Sequence, residues 1–256
     1  MTLKATVGLL TFLAAFGATA SAQWFKLQVP GTPRNADGTP NLRAPSPRTA
    51  DGKPDLSGVW KARDGRHIAN LAGADGITAP FQPWAEALYK ERRDNNGLDR
   101  PSGKCLPKSV PDAMTLPPYP FKIVQTPTLT LMLFEIFVSY RQIHTDGRSL
   151  PTERHPSWYG YSVGRWEQDT LVVETAGITD RHWLDDSGYP HSDALKITER
   201  IRRVDFGRMD IEFTFDDPKA YTKPWSVKVA FDLMPDTELL EYVCENERDN
   251  PHMVGK

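Results

Sequence analysis

Arg208-Met209-Asp210-Ile211-Glu212-Phe213-Thr214-Phe215 alternates a polar or charged residue with an apolar one at every step. A period of two sends successive side chains to opposite faces, so this stretch predicts a β-strand with one wet face and one buried face. Val227, Val229 and Phe231 alternate with Lys228 and Asp232 in the same way. Working outward, the apolar and β-branched runs between Phe121 and Cys244 are joined at Thr126-Pro127, Glu167-Gln168-Asp169, Asp205-Phe206-Gly207 and Pro235-Asp236-Thr237. Such short connections suit hairpins. Strands are expected at 121–125, 129–144, 160–167, 170–176, 195–203, 208–215, 225–233 and 238–244, with a first strand at 58–62. The stretch 129–144 has no Gly or Pro near Ile136 and Phe137 and reads as one long strand. Nine strands suffice for a closed or nearly closed antiparallel up-and-down barrel.

In such a meander, successive connections fall on opposite rims. The short turns then share one rim, and the long segments 145–160, 177–194 and 216–224 share the other. That second rim collects histidines, tryptophans and carboxylates.

The chain before the sheet differs in character. Residues 1–22 read as a secretory signal peptide: Lys4, the apolar Val7 to Ala18, then Ala20-Ser21-Ala22 before Gln23. A periplasmic or secreted protein with no stable membrane anchor follows. Removing the leader takes away Lys4 alone, so the net charge moves from -2 to -3. A near-neutral chain with dispersed Lys and Arg gives no basis for binding nucleic acid. Residues 23–56 form a Pro- and Gly-rich strap or linker with a short repeat, Ala36-Asp37-Gly38-Thr39-Pro40-Asn41-Leu42 and Ala50-Asp51-Gly52-Lys53-Pro54-Asp55-Leu56. Asp-Gly before X-Pro favours a turn followed by extended chain. Residues 57–256 are read as one barrel domain carrying a helix at about 82–95, with Trp84, Ala87 and Leu88 inward and Arg92 toward water. Two cysteines in an exported chain, Cys105 and Cys244, are expected to pair, stapling the non-sheet part to the end of the sheet.

The start Asp51-Gly52-Lys53-Pro54-Asp55-Leu56-Ser57-Gly58-Val59-Trp60 resembles that of exported bacterial proteins of uncharacterised function. Gly58 and Trp60, followed by a long meander, also resemble the G-x-W of lipocalin or calycin-type barrels. The second resemblance implies a barrel with Trp60 plugging one end and an Arg from a late strand packed over it. The sequence alone assigns no residue to that Arg.

Chemistry is expected at the long-loop rim. Glu199 shares a strand face with Leu195, Ile197 and Ile201, and Glu241 lies between Leu239 and Val243. A carboxylate on an apparently apolar face is an acid or base with a raised pKa, a buried partner of Arg141 or Arg200, or the mark of a strand that turns this face outward. Asp180, Trp183, Tyr189 and His191 fall in one long loop, and His144, Trp158 and Tyr159 in or beside the other. Histidine beside carboxylate moves protons near neutral pH, and aromatic residues hold flat or apolar molecules. The expected catalytic set is His191 with Asp180 as base and orienter, Tyr159 or Glu199 as acid, and His144. Trp158, Trp183, Arg141, Tyr189, Tyr221 and Glu241 are expected to contact substrate. Asp180-x-His182 with His191 lacks the spacing of a metal site, so neither metal nor cofactor is expected. Gly160-Tyr161-Ser162-Val163-Gly164 matches a serine-hydrolase pattern, but it leads into a hairpin where that motif needs a helix. The expectation is a cofactor-free isomerase, hydratase, lyase or cyclase acting in a barrel cavity on a small apolar or aromatic molecule. The alternative is a non-catalytic carrier or sensor of such a ligand.

Overall fold

The alternation at 208–215 becomes the strand Arg208–Asp216, with Met209, Ile211, Phe213 and Phe215 fully buried. Each such burial contributes about 1.5–3 kcal/mol. The computed structural model describes residues 27–244. The expected leader 1–22, the start of the strap at 23–26 and the chain from 245 onward lie outside the described residues. Among the described residues, nine strands follow one another around a closed barrel: β1 (Gly58–Ala62), β2 (Phe121–Gln125), β3 (Leu129–Phe134), β4 (Ser139–His144), β5 (Tyr161–Glu167), β6 (Thr170–Ala176), β7 (Lys196–Arg203), β8 (Arg208–Asp216) and β9 (Trp225–Leu233). β9 pairs back onto β1, which closes the sheet without an edge.

The expected total of nine strands survives through two compensating corrections. Residues 129–144 form two strands, because the chain turns back at 135–138 with Phe137 and Val138 at positive φ. Residues 238–244 form no strand, and β1 takes the place beside β9. The barrel is also not purely antiparallel. β4 and β5 run parallel, paired at Ile143 with Ser162 and His144 with Val163. The added hairpin reverses the expected loop parity, and the parallel pair reverses it again. The loops 177–195 and 217–224 therefore still share a rim. The segment 145–160 leaves β4 at the short-turn rim and returns to the long-loop rim to begin β5, where Ser157 bridges Ile178.

Gly58 explains why the first strand begins as it does. Its φ is +138°, and a Cβ there would lie 2.6 Å from Leu233 Cδ1. Trp60 beneath it is fully buried, with Nε1 donating to the Leu56 carbonyl at 3.0 Å. The Arg over this indole is Arg203, the last residue of β7, whose Cζ stands 4.9 Å from the ring centroid.

The strap lies over the short-turn rim and holds it by two copies of one device. In each repeat a loop closes between Arg34 and Pro40, or between Arg48 and Pro54. Arg34 then grips both carboxylate oxygens of Asp236, and Arg48 both of Asp169. At the opposite end, residues 63–120 cover the long-loop rim. They include the helix α1 (Pro83–Asp94) and the fully buried Leu71, Val110 and Met114. The buried stripe of α1 is one residue out from the expected one. Ala85 is buried, and Trp84 is 45 % exposed with Nε1 donating to the Lys219 carbonyl. Arg92, expected in water, packs over Trp183 at 4.4 Å and donates to the Gly188 carbonyl.

Cys105 and Cys244 form the expected disulfide, tying this cover to the C-terminal segment. The bond fits an oxidising compartment. No helix of the described residues is long and apolar enough to cross a membrane.

Candidate functional site

Inside the barrel, between the two rims, Arg141 reaches from β4 to Glu199 on β7. Nη1 donates to Oε1 at 3.0 Å and Nη2 to Oε2, while Nη2 also meets Thr175 Oγ1 at 2.7 Å and Nε meets Ser162 Oγ at 3.0 Å. Both charged side chains are almost wholly buried. Phe121, Phe134, Met132 and Phe231 pack in the same core cluster. The carboxylate of Glu199 is therefore a paired interior charge, the buried-partner reading among those that the strand pattern left open. Arg200 points outward to Glu167.

The long-loop rim is chemically different. Among the described residues, seven buried side-chain polar atoms have no hydrogen-bond partner, and all belong to elements at this rim. They are His67 Nδ1, Ser109 Oγ and Asp112 Oδ1 in the cover, both ring nitrogens of His182, His191 Nε2, and Trp225 Nε1 at the start of β9. Buried polar groups are normally paired, so their concentration at one rim calls for an explanation.

His182 and His191 lie in the β6–β7 loop with ring centroids 5.5 Å apart. His191 Nδ1 is 3.0 Å from the Ser192 carbonyl oxygen. A carbonyl only accepts, so Nδ1 carries the hydrogen and a neutral His191 leaves its Nε2 lone pair free. Ser192 is itself held by Asp217, which takes its N–H at 2.6 Å and its hydroxyl at 2.8 Å. Burial lowers the pKa of His191, and it lowers that of His182 well below the usual imidazole value, with His191 adding to the shift. Both rings are therefore neutral at pH 7.

Asp112 lies in a short turn of the cover with every residue buried. Its Oδ2 accepts from Lys108 Nζ at 2.8 Å, and the same ammonium donates to Asp186 at 2.6 Å. Two carboxylates sharing one cation leave Asp112 poorly compensated, and burial pushes its pKa up to about 7. His182, Asp112 and Lys108 line one small cavity of about 10 Å³. That is room for about one water molecule. A ligand-sized recess of about 460 Å³ opens on the same side, walled by Phe81, Tyr89 and Tyr189.

The expected site residues divide accordingly. His191, Trp183, Tyr189 and Tyr221 are buried at the long-loop rim. Trp183 stacks under Arg92, Tyr189 lies 4.5 Å from the Tyr89 ring, and Tyr221 donates to the Pro190 carbonyl at 2.7 Å. Tyr159 stacks on Phe134 at 5.1 Å and shares a 2.8 Å hydrogen bond with Ser139, and burial raises its pKa. Trp158 lies half-buried near Arg181, whose Cζ is 5.5 Å from its ring. Asp180 is exposed and makes no hydrogen bond to His191, which it influences only through its charge. His144 does not join the others. It ends β4 beside the 126–128 turn at the short-turn rim and stacks on Tyr161. Glu241 is exposed on an irregular segment, and not on the apolar face of a strand. Asp112 and Lys108 are not among the expected residues, because their i,i+4 spacing falls in a Pro-rich stretch that carries no periodic signal. No protein-family model, curated protein or solved structure matches this chain.

Proposed function

We propose that this protein carries out cofactor-free acid–base chemistry, of isomerase, hydratase, lyase or cyclase type, on a small apolar or aromatic molecule at the long-loop rim. The observation that carries the reading is the pair of buried neutral imidazoles with three of four ring nitrogens unpartnered. In this reading His191 Nε2 is the base, oriented by the Ser192 carbonyl and at longer range by Asp180. Asp112, tuned by burial toward neutrality, supplies the proton through the cavity it shares with His182. A neutral imidazole as base, together with a carboxyl that burial keeps protonated toward neutrality, suits this class of reaction. The aromatic-walled recess on the same rim offers the space for a substrate. Trp60 beneath Arg203 supports kinship with lipocalin-like barrels.

The test is solvent-deuterium incorporation into a panel of aryl ketones, enones and lactones. Exchange by the wild type that disappears in His191→Ala and falls strongly in Asp112→Asn is expected. Exchange that persists in a folded His182→Ala/His191→Ala double variant would end the proposal. The same recess also favours the carrier reading, which instead requires tight one-to-one binding with no exchange or turnover in the wild type.

A further inference from the structure

The short-turn rim, at the other end of the barrel from His182 and His191, carries a half-open cleft of about 450 Å³ between the strap and the barrel. Its apolar wall includes Pro30, Val59, Ile123, Val124, Phe206 and Leu233. Arg203 lines it as well and is only 5 % exposed. This guanidinium donates to main-chain oxygens only: Nη1 to Asp55 and Ser57 at 2.6 and 3.2 Å, Nε to Asp205 and Phe206 at 3.3 and 3.2 Å, and Nη2 to Phe206. Of five N–H groups, one on Nη2 is left uncommitted.

The other charged groups of the wall are already engaged. Lys122 pairs with Glu238 at 2.5 Å, Asp236 is clamped by Arg34 at 2.7 Å, and Asp55 accepts the Ser57 N–H at 2.8 Å. Asp55 and Asp205 reach Arg203 through their charge alone. Arg203 is thus a buried cation whose hydrogen bonds include no carboxylate among the described residues. Buried charges are normally paired, and a guanidinium fits a carboxylate best. Burial accordingly lowers its pKa to about 10.

We propose that this cavity binds a small organic acid, one carboxylate on a compact apolar or aromatic body, with the carboxylate at Arg203 and the body against Val59 and Val124, which share one face of the β1–β2 pair. The volume lies within the range of small-molecule pockets. The strap forms one wall, with Pro30, Gly31 and Thr32 facing the barrel side. The proposal is independent of the acid–base reading, since none of its residues belongs to that site.

The test is calorimetric titration of the full chain with phenylbutanoate and with the matched alcohol, phenylbutanol. The acid is expected to bind one-to-one and at least about tenfold more tightly than the alcohol. Val124→Trp, which fills the cavity without touching the Trp60–Arg203 stack, is expected to weaken the acid about tenfold or more while the circular dichroism stays unchanged. Arg203→Gln, where it folds, should make acid and alcohol equal. Equal affinities in the wild type, no binding of the acid, or undiminished binding to Val124→Trp would each overturn the proposal.

Discussion

Arg141 and Glu199 show how much a periodicity can reveal and where it stops. The alternation from Leu195 to Ile201 places Glu199 inside, and Arg141 is one of two basic residues expected to meet it. What decides for Arg141 is barrel closure, which brings β4 and β7 to bear on one interior. Removing one partner leaves a buried charge unpaired, at a cost of about 3–5 kcal/mol, whereas apolar replacement of both is often neutral or stabilising. Glu199→Leu should therefore lower the urea-unfolding free energy by about that amount, and Arg141→Met/Glu199→Leu should recover most of it. Equal losses in the two variants would contradict this account. Asp112 makes a pH-dependent case of the same principle. Its folded pKa is raised from 3.8 to about 7, so the folded state binds more protons than the unfolded state in that window. The stability it contributes is present below 3.8 and lost as pH rises through about 7. His182 and His191, with folded values lowered from 6.5, act oppositely: their contribution is present above 6.5 and lost as pH falls toward the folded values. Asp112→Asn should therefore gain about 2 kcal/mol relative to wild type between pH 5 and pH 7, read from urea unfolding at the two values. An unchanged difference would place the titration elsewhere.

Hairpins with ordinary turn chemistry were legible in the sequence, and the one without it was not. The β3–β4 turn has neither Gly nor Pro. It forms because the neighbouring C-terminal segment holds it: Ile136 bridges Tyr242, Phe137 packs against the same ring, and Glu135 takes the Leu240 N–H. Tertiary contacts therefore set the turn, leaving Val138 exposed at φ 44°. A β-branched residue is strained there, by about 1–2 kcal/mol. Val138→Gly should relieve this strain and, after the added freedom of the unfolded chain, raise stability by about 0.5–1 kcal/mol in urea titration. A loss of stability would show that the valine side chain contributes packing. The repeat was legible over Ala36–Leu42 and Ala50–Leu56, but its function resides just upstream, in Arg34 and Arg48. Their carboxylate partners lie on different turns and share no pattern with them. The Arg34 clamp is the less exposed of the two. Arg34→Ala should accordingly speed trypsin cleavage of the strap more than Arg48→Ala does, and the reverse order would refute this ranking.

Among the described residues, the C-terminal segment joins no sheet, since β1 closes the barrel against β9, and it serves instead as a tie along the barrel. From β9 it runs up the outside of the barrel, tied to Lys122 by Glu238 and to Ile136 by Tyr242, and reaches Cys105 through Cys244. The disulfide therefore fastens the cover over the long-loop rim to the opposite end of the chain. Its closed loop spans a sequence separation of 139 residues. In the chain-entropy model such a loop is worth about 5 kcal/mol. The bond also acts locally, because Cys105 directly precedes the segment carrying Lys108 and Asp112, which helps to bury His182. Cys105→Ser/Cys244→Ser should thus lower the unfolding free energy by up to about 5 kcal/mol. If the staple also holds the cover, His182 and His191 should react faster with diethylpyrocarbonate under native conditions, well below the unfolding transition. A variant that loses stability with histidine reactivity unchanged would confine the bond to the unfolded chain. It would show that packing of Leu71, Val110 and Met114 holds the cover without it.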